Sequence, residues 1–413
     1  MMNTIAFYFH SCYLYYSFFL SIYFYREEKR LNLPDDSFFS NHLNQQEVNF
    51  MRVKNVLATR WGIIAVGAII GILAPVLQKM GNPGNMGICV ACFERDIAGA
   101  IGIHRAAVVQ YMRPEIIGFV LGALAAALIF REYRPRAGSA PIVRFILGVF
   151  AMIGALVFLG CPWRALLRLA GGDLNAILGL AGLAFGIWIG TLFLKGGYNL
   201  GRAEPTYTSV GLLMPLVMLG FLALALIYPQ VPGEPASGVL FYSVKGPGAM
   251  HASLIVSLIV GLAIGILAQQ SRFCTMGAFR DLILFGQTHL FGGIVALLIV
   301  AAVTNLILGQ FNAGFAGQPV AHTLHVWNFA GMALAGLAFA LAGGCPGRQL
   351  FLAGEGDGDA AVFVIGMIVG AGFAHNFGLA SSPNGLGPHG IAALVVGFIA
   401  CLFIGFTMRK KAA

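Results

Sequence analysis

Long apolar stretches alternate with short polar ones from residue 61 almost to the end of the chain. Each stretch is close to the roughly 20 residues that an α-helix needs to cross the apolar core of a bilayer. The pattern predicts ten membrane-spanning helices, whose approximate bounds are 61–79, 113–131, 142–159, 174–194, 207–228, 250–268, 290–309, 325–342, 360–378 and 390–408.

Composition supports the same fold class. Hydrophobic residues make up 58% of the 413 residues and charged residues only 10%, whereas soluble domains hold roughly 45–50% and 25%. The 55 glycines suit helices that pack closely in lipid. We therefore predict an all-α polytopic membrane protein in contact with the lipid bilayer.

The net charge of +9 follows membrane topology. Basic residues flank alternate ends of the spans, as with Arg60, Arg131, Lys195 and Arg409. The loops on the other side, 229–249, 310–324 and 379–389, hold a single basic residue, Lys245. Because cytoplasmic loops carry the excess of Lys and Arg, we expect a multi-pass protein of the inner or plasma membrane with a cytoplasmic C-terminus. The charge does not indicate a nucleic-acid partner.

Two phrases that contain cysteine occur twice in the chain. Cys89, followed by Arg95-Asp96, is repeated 185 residues later as Cys274, followed by Arg280-Asp281. Gly-Cys-Pro-Trp-Arg at 160–164 is repeated 184 residues later as Gly-Cys-Pro-Gly-Arg at 344–348. Duplicates diverge where nothing constrains them, so Cys89, Cys161, Cys274 and Cys345 are the candidate site.

The duplication predicts two inverted repeats. Five long helices per half is an odd number, so the second half enters the membrane from the opposite side, as in many transporters. We predict a first repeat at 51–228, an extracytoplasmic linker at 229–249 and a second repeat at 250–413. The cysteine segments are short or interrupted by Arg-Asp or Pro, so we expect re-entrant or broken helices buried in protein.

Residues 1–50 differ in composition, being rich in Phe, Tyr, Ser and Asn. They are interpreted as an atypical extension, either an extra span over 5–25 or the result of a mis-assigned start, with Met51 as the alternative first residue.

Charged residues near the cysteines have two interpretations. Two roles are open for the dipeptides Arg95-Asp96 and Arg280-Asp281, which form structural ion pairs or attract a substrate. Arg164 and Arg348 follow helix-breaking prolines, where a guanidinium and a helix N-terminus together favour an anion. Asp173 and Asp357 are expected to cap the helices that follow them.

Cys92 is a minor candidate. It forms Cys-x-x-Cys with Cys89, but the second copy has Gly277 at the matching position. No complementary ligand set completes a zinc site, and we expect neither a metal nor a cofactor. Cys401 and Cys12 are interpreted as apolar filler.

The stretch Gln269-Gln270-Ser271-Arg272-Phe273-Cys274, its continuation to Asp281 and the Gly-Gly-Cys at 343–345 resemble the YeeE/YedE family of sulphur-transport membrane proteins. The Gly-Cys-Pro-x-Arg phrase in both halves is most similar to the YedE-like branch proposed to carry selenium compounds. The resemblance implies an hourglass-shaped inverted repeat and uptake of thiosulfate or a selenium species along a line of cysteines. It places the family's cysteine motifs on Cys89, Cys274 and Cys345, with Cys161 as the duplicate of Cys345.

The function predicted from these features is import, without catalysis, of a small inorganic sulfur or selenium compound relayed along the four cysteines. A cytoplasmic sulfur- or selenium-carrier protein is a further candidate partner. Two alternatives stay open: a membrane thiol-disulfide oxidoreductase that uses Cys89 and Cys92, and a passive channel for a small solute.

Overall fold

The computed structural model describes residues 56–409 of the chain. The predictions for residues 1–50 and for a start at Met51 fall outside this range. Within it the structure is almost entirely helical, with two short two-stranded sheets, β1 (Arg136–Ala137) with β2 (Glu204–Pro205) and β3 (Ala236–Ser237) with β4 (Leu240–Phe241).

Between residues 60 and 407 of the described chain, fourteen α-helices follow one another as two sets of seven. The first set is α1 (Arg60–Lys79), α2 (Val90–Ala100), α3 (Pro114–Ile129), α4 (Pro141–Phe158), α5 (Pro162–Ala170), α6 (Asn175–Lys195) and α7 (Thr208–Ile227). The second set is α8 (Leu254–Ser271), α9 (Thr275–Phe285), α10 (His289–Ile307), α11 (His325–Ala342), α12 (Pro346–Gly354), α13 (Gly358–Asn376) and α14 (Gly390–Thr407).

The structure confirms an all-α polytopic membrane protein. In the part of the chain that the structure describes, nine helical stretches are long and apolar enough to cross a membrane. The one remaining predicted span, 113–131, corresponds to α3, which begins at Pro114 and ends at Ile129. This helix has only 16 residues. It is shorter than the roughly 20 residues of a typical crossing.

Contacts between the two sets repeat with two-fold regularity. Helix α1 packs on α10, and the equivalent contact is α8 on α3. Helix α4 packs on α13, and its equivalent is α11 on α6. Helices α4 and α11, which correspond to each other, also pack together. Such matching is what a pseudo-two-fold axis between duplicated halves produces.

Glycines allow these helices to approach closely. A Cβ atom placed on Gly67 in α1 would overlap the backbone of Gly293 in α10. At the equivalent contact, a Cβ on Gly118 in α3 would lie 2.7 Å from the backbone nitrogen of Leu262 in α8. The glycine content of the sequence therefore has a structural cause at both contacts.

The cysteine segments are breaks between long and short helices. Leu159 directly follows α4 and Arg272 directly follows α8; both residues are in the left-handed region, with φ of 64° and 59°. Gly343, with φ of 87°, directly follows α11. The short helices that follow, together with α2, have 9 to 11 residues, too few to cross a bilayer.

Candidate functional site

All four duplicated cysteines occupy the same structural position. Cys89, Cys161, Cys274 and Cys345 are the N-cap residues of α2, α5, α9 and α12. Proline at the first position of α5 and α12 starts those helices, since proline lacks an N–H and its fixed φ suits a helix start. Four short helices therefore each begin at a thiol.

Cys89 and Cys161 form the first thiol pair. Their Sγ atoms lie 3.8 Å apart, and both residues are buried. The Cys89 Sγ also accepts a hydrogen bond from the backbone N–H of Cys92 at 3.4 Å. The N-termini of α2 and α5 thus meet at two adjacent sulfur atoms, although 72 residues separate them in sequence.

Cys274 and Cys345 form the second thiol pair, with the same geometry. Their Sγ atoms are also 3.8 Å apart, and the Cys274 Sγ accepts a hydrogen bond from the backbone N–H of Gly277 at 3.2 Å. Cys274 is 7% exposed and Cys345 1%. The duplication has therefore preserved both the residues and their pairing.

Such a pair can hold a small anion. The N-terminus of a helix carries a partial positive charge and favours negative ligands, and two such ends converge on each pair. A thiol adds a weak donor and a polarizable sulfur atom. These are weak attractions, which suits a site that must also release its ligand.

Arg95 and Asp96 belong to a buried cluster of charges. The Arg95 guanidinium donates to Asp96 Oδ1 at 2.7 Å, and Arg113 donates to Asp96 Oδ2 at 2.8 Å. The three side chains are at most 2% exposed. Arg113 also lies over the ring of Phe93, 4.4 Å from its centroid. These contacts tie the start of α3 to α2.

Arg280 and Asp281, the duplicates of that pair, lie in a different environment. Arg280 donates to Asp281 Oδ1 at 2.9 Å, but the two side chains are 34% and 20% exposed. Both Arg-Asp dipeptides thus form ion pairs, and only the first is buried and bridged by another arginine. A role of either pair in attracting substrate stays a prediction.

Arg164 is fully buried and surrounded by backbone carbonyl groups. Its guanidinium donates to the carbonyl oxygens of Leu159, Pro319 and Val320, the last two at 3.1 Å. Its Nη1 also lies 3.8 Å from the Cys92 Sγ. Arg164 therefore holds the loop at 310–324 against the first thiol pair, and its predicted role as an anion attractor stays a prediction.

Arg348, the duplicate of Arg164, lies nearer to solvent. Its side chain is 14% exposed and its Nη1 lies 3.3 Å from Glu355 Oε1. Arg272 shares that carboxylate at 2.7 Å, is 42% exposed, and precedes Phe273-Cys274. The duplication does not select Arg272, although this residue lies within the motif that leads to Cys274. Its position two residues before the duplicated Cys274 is the sequence feature that could have identified it.

The two other cysteines that the structure describes, Cys92 and Cys401, lie outside the two pairs. The Cys92 Sγ is 3.9 Å from the carbonyl oxygen of Leu159, beside the first pair. Cys401 is buried in α14. Among the described residues the six cysteines are free thiols.

The duplication did not identify three buried charged residues, Arg113, Arg168 and Glu94. Arg168 pairs with Asp173 at 2.6 Å, with both side chains fully buried. Glu94 is fully buried, and neither of its carboxyl oxygens has a hydrogen-bond partner among the described residues. The second repeat has Phe279 at the position of Glu94, so the duplication offered no signal for it. The predicted cap is confirmed at Asp357, whose side chain accepts from the N–H of Ala360 at 3.0 Å. It is wrong at Asp173, because the N-cap residue of α6 is Leu174 and Asp173 pairs with Arg168.

His322 lies in the loop at 310–324 that Arg164 holds. Its Nε2 is 2.8 Å from the carbonyl oxygen of Val157, and its Nδ1 is 3.3 Å from the backbone nitrogen of Leu324. Burial lowers the pKa of His322, so we expect a neutral imidazole that fastens this loop to α4.

Comparison with known proteins finds similarity over part of the chain. Residues 270–398 match the family model described as sulphur transport. This range contains both cysteines of the second thiol pair.

Over residues 270–398 the chain is thus similar to the sulphur transport family.

Individual relatives match over a shorter length. The thiosulfate transporter TsuA of Spirochaeta thermophila is 34% identical over 99 residues, which cover 24% of this chain and 29% of that protein. The thiosulfate transporter TsuA of Escherichia coli is 31% identical over 108 residues, covering 26% of this chain and 30% of that protein. The chain thus spans less than a third of the length of these curated relatives.

The match to the sulphur transport family lies within the second repeat. The first repeat lies outside the matched range, yet its thiol pair has the same Sγ–Sγ distance and the same N-cap positions. The structure thus extends the arrangement of the family's matched segment to Cys89 and Cys161.

Proposed function

We propose that this protein carries a small sulfur oxyanion of the thiosulfate type, or its selenium analogue, across the membrane from one thiol pair to the other. The observation that carries the proposal is the convergence of four helix N-termini on two cysteine pairs with equal 3.8 Å separations. The relatives named above are thiosulfate transporters, which supports the transport class.

The helix ends supply the electrostatic attraction. Each pair lies where two positive helix ends meet, so an anion gains favourable charge interactions without a free cation beside it. Arg164, which contacts Cys92 beside the first pair, already donates to backbone carbonyl oxygens. A full positive charge at each step would bind the anion too strongly for release.

The thiols supply contacts of moderate strength. In its neutral form each S–H can donate to an oxygen or terminal sulfur of the anion, and each sulfur atom offers a large polarizable surface. Two sulfur atoms at van der Waals separation let the anion exchange one contact for the next within a pair. The thiol pairs thus act as successive binding positions of similar affinity.

The direction of transport follows from the predicted topology. With a cytoplasmic C-terminus, the first thiol pair is approached from outside and the second from the cytoplasm. A soluble sulfur- or selenium-carrier protein would then receive the cargo beside the second pair, where Arg272 and Arg348 lie.

The test is uptake of radiolabelled thiosulfate into cells that express the protein, with unlabelled selenium compounds as competitors. Alanine replacements of Cys89, Cys161, Cys274 and Cys345 are each expected to reduce uptake at least tenfold. Cys401→Ala is the matched control, since it also removes a buried thiol and lies outside both pairs. Unchanged uptake in all four variants would overturn the relay.

Thiol counting separates the oxidoreductase alternative. A redox enzyme would cycle between free and bridged cysteines during turnover, and the count would fall by two per protein in oxidant. For a transporter we expect free thiols throughout uptake. Flux that is insensitive to thiol alkylation would favour the passive channel.

A further inference from the structure

The two repeats differ sharply at one position within the thiol site. Trp163 in the first repeat corresponds to Gly347 in the second, and each residue follows a Cys-Pro dipeptide. Both are second residues of short helices that begin at a cysteine of a thiol pair. The first repeat therefore has an indole, the largest of the amino-acid side chains, where the second repeat has no side chain.

The Trp163 indole occupies the space beside Gly347. A Cβ atom built on Gly347 would lie 3.2 Å from Cζ2 and 3.5 Å from Cη2 of the indole. Phe273, which directly precedes Cys274, packs against the same ring with centroids 5.9 Å apart. The indole starts two residues from Cys161 and ends against the segments that carry Cys274 and Cys345. It therefore lies between the two thiol pairs.

Further aromatic rings close the space around the indole. Phe119 of α3 lies edge-on at 5.9 Å and Phe351 of α12 lies at 6.0 Å, centroid to centroid. Trp163, Phe119, Phe273 and Phe351 are each at most 1% exposed. Apolar constrictions of this kind exclude water and ions until they open.

The indole also carries a polar group that the protein does not use. Trp163 Nε1 is buried and has no hydrogen-bond partner among the described residues. Buried indole N–H groups normally have one. An oxygen atom of an anion that leaves either thiol pair would satisfy this donor, which is stronger than a thiol.

We propose that Trp163 is an aromatic gate between the two thiol pairs and that its indole N–H binds the anion as it crosses from one pair to the other. This inference rests on the proposed transport function. The asymmetry between the repeats has a physical reason, since two indoles cannot share the space that Gly347 leaves for one.

The experiment uses the purified full chain in proteoliposomes, with thiosulfate uptake and iodide leak measured on the same preparations. Trp163→Ala opens the constriction, so we expect iodide leak to rise at least tenfold over the unmodified protein. Trp163→Phe keeps a ring but lacks the N–H. It is expected to stay tight to iodide and to lose roughly tenfold or more in uptake, the range of one hydrogen bond to a charged group.

Two controls separate a gate from a structural role. The double variant Trp163→Gly with Gly347→Trp moves the indole to the other repeat, and we expect it to restore the barrier to iodide. Trp188→Ala removes an indole that is 45% exposed on α6 and should change neither quantity. Size-exclusion elution of each variant verifies that it folds.

The outcomes separate this inference from the proposed function. If the unmodified protein takes up thiosulfate and Trp163→Ala neither leaks iodide nor alters uptake, the gate is overturned and transport stands. If the unmodified protein takes up neither thiosulfate nor a selenium analogue, the proposed function fails. The iodide leak of Trp163→Ala then still decides whether the indole is a barrier.

Discussion

Asp96 and Asp281 form a matched pair of positions for testing how burial sets the strength of an ion pair. Both residues follow an arginine directly and pair with it. Asp96 is fully buried and also binds Arg113, whereas Asp281 is 20% exposed and pairs with an arginine that is 34% exposed. The same substitution, Asp to Asn, can be made at both.

The expected costs differ severalfold. Asp96→Asn removes the negative charge that compensates two buried guanidinium groups, and such a loss typically costs about 3–5 kcal/mol. Asp281→Asn breaks a solvent-screened pair, which is worth about 0–1 kcal/mol. With an unfolding entropy near 2 cal/mol/K per residue, the first change lowers the melting temperature by roughly 3–6 °C and the second by roughly 1 °C or less.

The assay is thermal unfolding of the purified protein in detergent, followed by tryptophan fluorescence and by loss of the monodisperse size-exclusion peak. All variants are measured at the same heating rate, because membrane proteins often unfold irreversibly. Equal shifts for the two variants would refute the reasoning, since burial would then have no effect on the cost. A larger shift for Asp281→Asn would mean that the exposed ion pair stabilises the protein more than the buried one.

Two further predictions concern packing and a buried carboxyl group. Gly67→Ala is expected to lower the melting temperature by several degrees because its Cβ would overlap the backbone of Gly293. The control Gly220→Ala, in a helix with open space around this residue, should be neutral or stabilise the protein by up to about 1 kcal/mol. Equal effects of the two substitutions would contradict the packing argument. Glu94→Met is expected to raise the melting temperature, since a buried carboxyl without a partner costs about 1–3 kcal/mol; a lower melting temperature would show that Glu94 has a stabilising contact.

The sequence by itself determined the class of the fold and the identity of the candidate cysteines. Apolar stretches near 20 residues have few stable solutions other than membrane helices, because backbone polar groups must be satisfied within the segment. The duplication identified Cys89, Cys161, Cys274 and Cys345, and Pro162 and Pro346 predicted a break in the helices beside Cys161 and Cys345. These conclusions depend on local chemistry and on comparison of the chain with itself.

Only the tertiary structure decided which residues meet. The thiol pairs join cysteines 72 and 71 residues apart, and Arg113 reaches Asp96 across a helix connection. Identical Arg-Asp dipeptides differ in burial because different helices cover them. Trp163 lies on Gly347 because tertiary packing brings α5 and α12 together. A side chain's partners depend on how helices pack, and no periodicity along the chain encodes that packing directly.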